Sequence, residues 1–141
     1  MPEEKQNALA DPSVHPKPLK AVLVVDDDKQ LASALQWILA DENYLVDVAF
    51  DGEEALLKVK VHEYDAVICD LMMPRLRGDE FYRQAKILRP KLTKRFVFIT
   101  GYAADSQVQE FLSYPGMRHL VKPFSIDKLI ASVKELLGAQ A

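Results

Sequence analysis

AVLVVDDDK, residues Ala21 to Lys29, is an apolar run that ends abruptly in three carboxylates and a lysine. Its valines and leucine suit a strand buried on both faces. Asp26, Asp27 and Asp28 then stand side by side, where like charges repel more strongly as water is excluded. A chain that places three acids at the end of a buried strand is either capping a helix or building a site for a cation.

Outward from this stretch the same alternation repeats. Apolar runs at 20–25, 44–50, 65–69, 95–100 and 118–121 alternate with helical patterns at 29–42, 52–63, 78–89, 103–113 and 125–137. Five strand–helix units predict an α/β fold with a parallel sheet and helices on both faces, doubly wound as (βα)5. DAVIC (65–69) and RFVFIT (95–100) are near-continuous β-branched or aromatic runs, whereas YLVDVAF (44–50) alternates and suits an edge strand. Leu31, Leu35, Ile38 and Leu39 share one face of the first helix, and Ile126, Leu129, Ile130, Val133 and Leu137 one face of the last. Asp51 with Glu54 reads as an N-cap and capping box, and Ser125 can cap the last helix.

The whole chain sets limits. Its 141 residues fit one domain, and 49% hydrophobic with 28% charged residues is an ordinary globular balance. A net charge of −3, from 18 basic and 21 acidic residues, argues against direct nucleic-acid binding. Apolar runs of about five residues fall far short of the roughly 18 of a membrane span. The first residues lack the apolar core of a secretory signal, and the single cysteine, Cys69, permits no internal disulfide. The expectation is a soluble, cytoplasmic protein without a membrane partner. Residues 1–19 hold four of the eight prolines and no apolar period. They read as a disordered tail or linker before a domain over 20–138, with 139–141 a short C-terminal tail.

In an open α/β sheet, ligands sit beyond the carboxyl ends of the strands, where the strand order reverses. An order of 2-1-3-4-5 puts that reversal between the first and third strands. It brings Asp26, Asp27 and Asp70 to one rim, with Thr100 and Lys122 beside them. Oxygen ligands in an open site suit Mg²⁺, which keeps several waters and takes one or two carboxylates plus phosphate oxygens. A carboxylate nucleophile, a divalent metal, a hydroxyl and a lysine together describe a site that handles a phosphoryl group.

Here the sequence resembles the receiver domain of two-component response regulators. The resemblance rests on VLVVDDD, on DAVICDLMMP with Gly78 eight residues after Asp70, on FVFITGY and on HLVKPF, in order and each at a strand end. It covers about residues 20–138. It implies a flavodoxin-like three-layer sandwich, with Asp70 accepting a phosphoryl group from a histidine of a sensor histidine kinase or a histidine phosphotransfer protein. It implies Mg²⁺ on Asp26, Asp27, Asp70 and the backbone carbonyl of Met72, with Thr100 and Lys122 on the phosphoryl oxygens. It also implies a cis bond between Lys122 and Pro123. In the family, phosphorylation switches the face of the fourth helix, fifth strand and fifth helix, which is then expected to bind a partner or form a homodimer. Such a domain promotes only its own phosphorylation and dephosphorylation, and is not an enzyme in the turnover sense. The chain ends just after its last helix. The signal is therefore expected to leave through a partner, a dimer or onward phosphotransfer, unless the chain is one piece of a longer regulator or hybrid kinase.

One position departs from the pattern. Receivers carry Tyr or Phe three residues before the lysine; this chain has His119, which is either a titratable switch residue or a half-exposed strand histidine. Met72 and Tyr102 are expected to border the phosphoryl site and to hinder an attacking water. Asp28 reads as the cap of the first helix, Cys69 as a small buried hydrophobe, and Trp37 as a partly exposed residue off the apolar stripe. The basic stretches RLRGDEFYR and LRPKLTKR read as solvated faces. Two rival functions remain: a haloacid-dehalogenase-type phosphatase using Asp26-Asp27-Asp28, and a receiver-like interaction module that is never phosphorylated. Against the first, Gln30 stands where that motif has Thr or Val, and Asp70 would have no task.

Overall fold

Local signals in the sequence account for where four of the helices begin. Asp28 accepts a hydrogen bond from the Leu31 amide (3.1 Å), and Asp51 one from the Glu54 amide (2.8 Å). Glu54 answers by accepting from the Phe50 amide (2.6 Å), one residue upstream of the cap itself. Asp105 accepts from the amides of Gln107 and Val108, and Ser125 from that of Lys128. These caps satisfy amides that have no partner within the helix.

The computed structural model describes residues 19–73, 75–101 and 105–138. In chain order the elements are β1 (Ala21–Val25), α1 (Lys29–Asp41), β2 (Leu45–Ala49), α2 (Gly52–Val61), β3 (Ala66–Asp70), α3 (Gly78–Leu88), a 3₁₀ turn (Pro90–Lys94), β4 (Phe96–Thr100), α4 (Ser106–Leu112), β5 (Arg118–Val121) and α5 (Ile126–Gly138). The strands pair in parallel in the order β2-β1-β3-β4-β5. This is the doubly wound, flavodoxin-like three-layer sandwich, with YLVDVAF at the edge as its alternation foretold.

Side chains alternate across the sheet, so each central strand feeds two cores. Leu23, Val25, Val67, Cys69, Phe96 and Phe98 face one layer; Val22, Val24, Ala66, Ile68, Val97 and Ile99 face the other. The first is covered by α2, α3 and α4, through Val59, Phe81 and Phe111 among others. The second is covered by α1 and α5, through Leu35, Leu39, Leu129 and Val133. The β2 edge is shielded where the Gln36 amide donates to the Val46 carbonyl (3.2 Å). Arg89, at the end of α3, reaches across to the last turn of α2. Its Nε donates to the Val59 carbonyl (3.0 Å) and its Nη2 to the Lys60 carbonyl (3.3 Å).

Some boundaries differ from the sequence reading. The fourth helix was expected from residue 103, but the Asp105 cap starts it at Ser106; residues 102–104 lie outside the described residues. The second helix ends at Val61, where His62 turns to extended backbone. Ile126, expected on the buried stripe of α5, is half-exposed at the helix start, and Leu136 is buried in its stead. The end of α1 is a left-handed turn at Asn43 (φ 68°), with the Tyr44 amide donating to the Leu39 carbonyl and the Asn43 amide to that of Ala40. The expected tails, apart from Leu19, also lie outside the described residues.

Candidate functional site

Strand register assembles the site. Val25 pairs with Cys69, Asp70 with Ile99, and Thr100 with Val121. The residues following β1 and β5, together with the last residues of β3 and β4, therefore share one rim. The Asp26 amide continues the ladder to the Ala49 carbonyl (3.1 Å), and the Lys122 amide continues it to the Thr100 carbonyl (2.8 Å).

Asp26, Asp70 and Thr100 are buried polar residues. Asp26 Oδ1 accepts from the Asp28 amide (2.9 Å). Its Oδ2 is buried without a hydrogen-bond partner and forms an ion pair with Lys122 Nζ at 3.6 Å. Asp70 Oδ1 accepts from the Met72 amide (3.0 Å), and its Oδ2 from Lys122 Nζ (3.2 Å). Asp27 is exposed, and each of the three carboxylates offers an oxygen within 4.8 Å of the others. The Asp26 carboxyl is pushed up to about 6, chiefly by burial, with the Asp70 and Asp27 charges adding to the rise and the Asp28 amide and Lys122 opposing it. Burial depresses the Lys122 ammonium, but Asp26 and Asp70 outweigh that and hold it above the ordinary lysine value. Burial likewise pushes the Cys69 thiol well up, in keeping with a buried hydrophobe.

These observations test the fit to a divalent cation. An orphaned, buried carboxylate oxygen beside two further carboxylates is a donor set that lacks one positive charge. It suits a hard cation that prefers oxygen. One lysine serves two carboxylates at 3.2 and 3.6 Å, which leaves the cluster with net negative charge.

The loop after Asp70 is shaped by close approach. The Gly78 amide donates to the Leu71 carbonyl (3.1 Å). A Cβ on Gly78 would collide with the Asp70 carbonyl oxygen and lie 2.8 Å from Leu71 Cα. The Lys122–Pro123 bond is cis. His119 is not drawn to the carboxylates: it is exposed on the edge strand β5, paired in register with Phe98. Met72 is half-buried beside the core, and Tyr102 lies outside the described residues.

Two supports of this loop escaped the sequence reading. Arg75 takes a left-handed backbone (φ 66°) and pairs with Asp51 Oδ2 at 3.1 Å. A Cβ on Gly52 would sit 2.6 Å from the Leu76 carbonyl oxygen. The Asp51-Gly52 pair marked a helix start, but nothing in it pointed to contact with a loop some 25 residues away.

Residues 22–134 match the response regulator receiver domain family. The chain belongs to that family. This receiver domain is 34% identical over 119 residues to the response regulator ArlR of Staphylococcus aureus, an alignment covering 84% of the chain and 53% of ArlR. It thus spans about half the length of the curated relatives it matches. Among solved structures it resembles a CheY-like response regulator receiver domain protein from Methanospirillum hungatei, with TM-score 0.80 and 30% identity over 87% of this chain and 97% of the other. It also resembles a Francisella response regulator receiver domain, with TM-score 0.74 and 33% identity over 86% and 99% of the two chains. Among the described residues, no helix is long and apolar enough to cross a membrane.

Proposed function

We propose that this receiver is a phosphoacceptor in a two-component or phosphorelay pathway. Asp70 takes a phosphoryl group from a histidine of a sensor histidine kinase or histidine phosphotransfer protein. The observation that carries this reading is the placement of Asp70, with one carboxylate oxygen on Lys122 (3.2 Å) and the other on the Met72 amide (3.0 Å), beside Asp26 and Asp27.

Asp26, Asp27, Asp70 and the Met72 carbonyl would hold Mg²⁺, which when bound supplies positive charge to the phosphoryl oxygens. A carboxylate oxygen of Asp70 attacks phosphorus in line. The N–P bond breaks, and the electron pair stays on the departing imidazole nitrogen, which takes up a proton. Lys122 moves its charge from the Asp70 carboxylate to a transferred oxygen, and the Thr100 hydroxyl donates to another. The added charge of about −1.5 to −2 then draws Thr100 and Lys122 inward. That biases the α4–β5–α5 face, where His119 takes the switch position, toward a partner or a homodimer. The module turns over no substrate of its own, acts in the cytoplasm, and occupies residues 20–138, with 1–19 a tail or linker and 139–141 a short tail.

Labelling the chain with a small phosphodonor tests this. The expected product is an acyl phosphate, stable in acid and labile in base, dependent on Mg²⁺ and absent from Asp70→Asn. Undiminished labelling of Asp70→Asn overturns the assignment, and steady turnover of p-nitrophenyl phosphate replaces it with a phosphatase.

A further inference from the structure

The basic stretch at the end of α3 is not used by the site at the opposite strand ends. Residues 83–95, RQAKILRPKLTKR, carry six of the chain's 18 basic residues and no acid. They sit in a protein whose net charge is −3, and two of the six, Arg83 and Lys86, line one groove. Beside them runs a groove of about 430 Å³ between α3 and the segment from α4 to the start of β5. Arg83, Lys86 and Ile87 form one wall; Phe111, Tyr114 and Met117 form the other. The lining holds two cations and no carboxylate.

The groove is amphipathic in a specific way. Ile87 is 77% exposed and Tyr114 56%, large apolar groups left at the surface. Both cations lie against aromatic rings, Lys86 Nζ 5.2 Å from the Tyr82 centroid and Arg83 Cζ 5.8 Å from that of Phe111. These ring contacts restrain both side chains. Arg83 is already shared between Asp79 and Glu80, at 3.3 Å each. Lys86 has no carboxylate partner among the described residues and is the charge that awaits one.

We propose that this groove docks an acidic amphipathic helix of a partner protein. Apolar side chains at i and i+4 of that helix fill the space between Ile87 and Tyr114, while a carboxylate pairs with Lys86. Concavity argues for a protein segment. An anionic membrane would favour a flat or convex apolar face, and a nucleic acid would favour a basic surface without protruding Ile and Tyr. The proposal is independent of phosphoryl chemistry at Asp70. The groove lies on the α3 side of α4, and of its lining only Phe111 belongs to an element of the α4–β5–α5 face.

The test is titration of the isotope-labelled full chain, unphosphorylated, with a synthetic 16-residue helix-forming peptide. The peptide carries Leu and Phe at i, i+3, i+4 and i+7, and Glu elsewhere. Saturable amide shifts are expected at Lys86, Ile87, Tyr114 and Met117. Affinity should fall at least fivefold in Lys86→Glu and in Ile87→Ser, two exposed positions whose variants should retain the parent's thermal midpoint. A peptide with Lys in place of Glu should not bind. Shifts centred on another face, or full affinity in both variants, overturn the proposal. So does saturable binding to phosphatidylserine vesicles or to single-stranded DNA that Lys86→Glu abolishes, because the basic face would then serve a membrane or a nucleic acid.

Discussion

Asp26 is a residue at odds with its own burial. It is 1% exposed, has an oxygen without a hydrogen bond, and holds its proton up to about pH 6. The folded pKa lies above the ordinary 3.8, so between about pH 4 and 6 the folded state binds more protons than the unfolded one. Stability of the metal-free protein therefore falls as pH rises through that window, by up to about 2–3 kcal/mol from this group. Asp26→Asn, measured by urea denaturation in EDTA, should be more stable than the parent at pH 7 and lose that advantage near pH 4. Equal midpoints at pH 7 would show that Lys122 already neutralises the carboxylate. The placement of such residues was legible because strand ends are where a parallel sheet collects ligands. Their energetic conflict was not, since it depends on which oxygen finds a partner.

At the scale of elements, glycines decide how closely helices approach the sheet. A methyl group on Gly78 would meet the Asp70 backbone, whereas one on Gly101 would meet nothing within 4 Å. Gly78→Ala should cost about 1–3 kcal/mol by forcing α3 off the end of β3, and should weaken Mg²⁺ binding with it. Gly101→Ala should stay within about 0.5 kcal/mol of the parent. Denaturant midpoints of the two variants separate a steric cost from a general dislike of alanine in a loop. The helices themselves were legible where a cap acts over three residues, as at Asp28, Asp51 and Ser125. The start of α4 was misplaced because the alanines at 103 and 104 favour helix by propensity, while Asp105 supplies the cap that sets the boundary. The Gly52–Leu76 contact was invisible because nothing local in either residue requires the other.

Across the whole molecule, Phe98 links the layers on one side of the sheet. Its ring lies 5.1 Å from Phe96, 5.6 Å from Tyr82 and 5.0 Å from Phe111, centroid to centroid, and so joins β4 to α3 and α4. Phe98→Ala should lower stability by about 3–5 kcal/mol, a large share of what a domain this size has. The urea midpoint should fall without a change in slope; a small shift would mean the rings reclose over the gap. The alternation of strand and helix made this architecture readable, because parallel strands buried on both faces leave long apolar runs. Which ring meets which was not readable, since that follows from strand order and tilt.

Arg89 carries a different implication. Its guanidinium closes the end of one helix from just past the end of another, so the Val59 and Lys60 carbonyls of α2 depend for these bonds on α3 holding Arg89 in place. The helices are separate in sequence but not as units of opening. Amide hydrogens in the final turn of α2 will exchange with solvent on the schedule of α3, and the smallest piece of this protein that can come loose there is the pair.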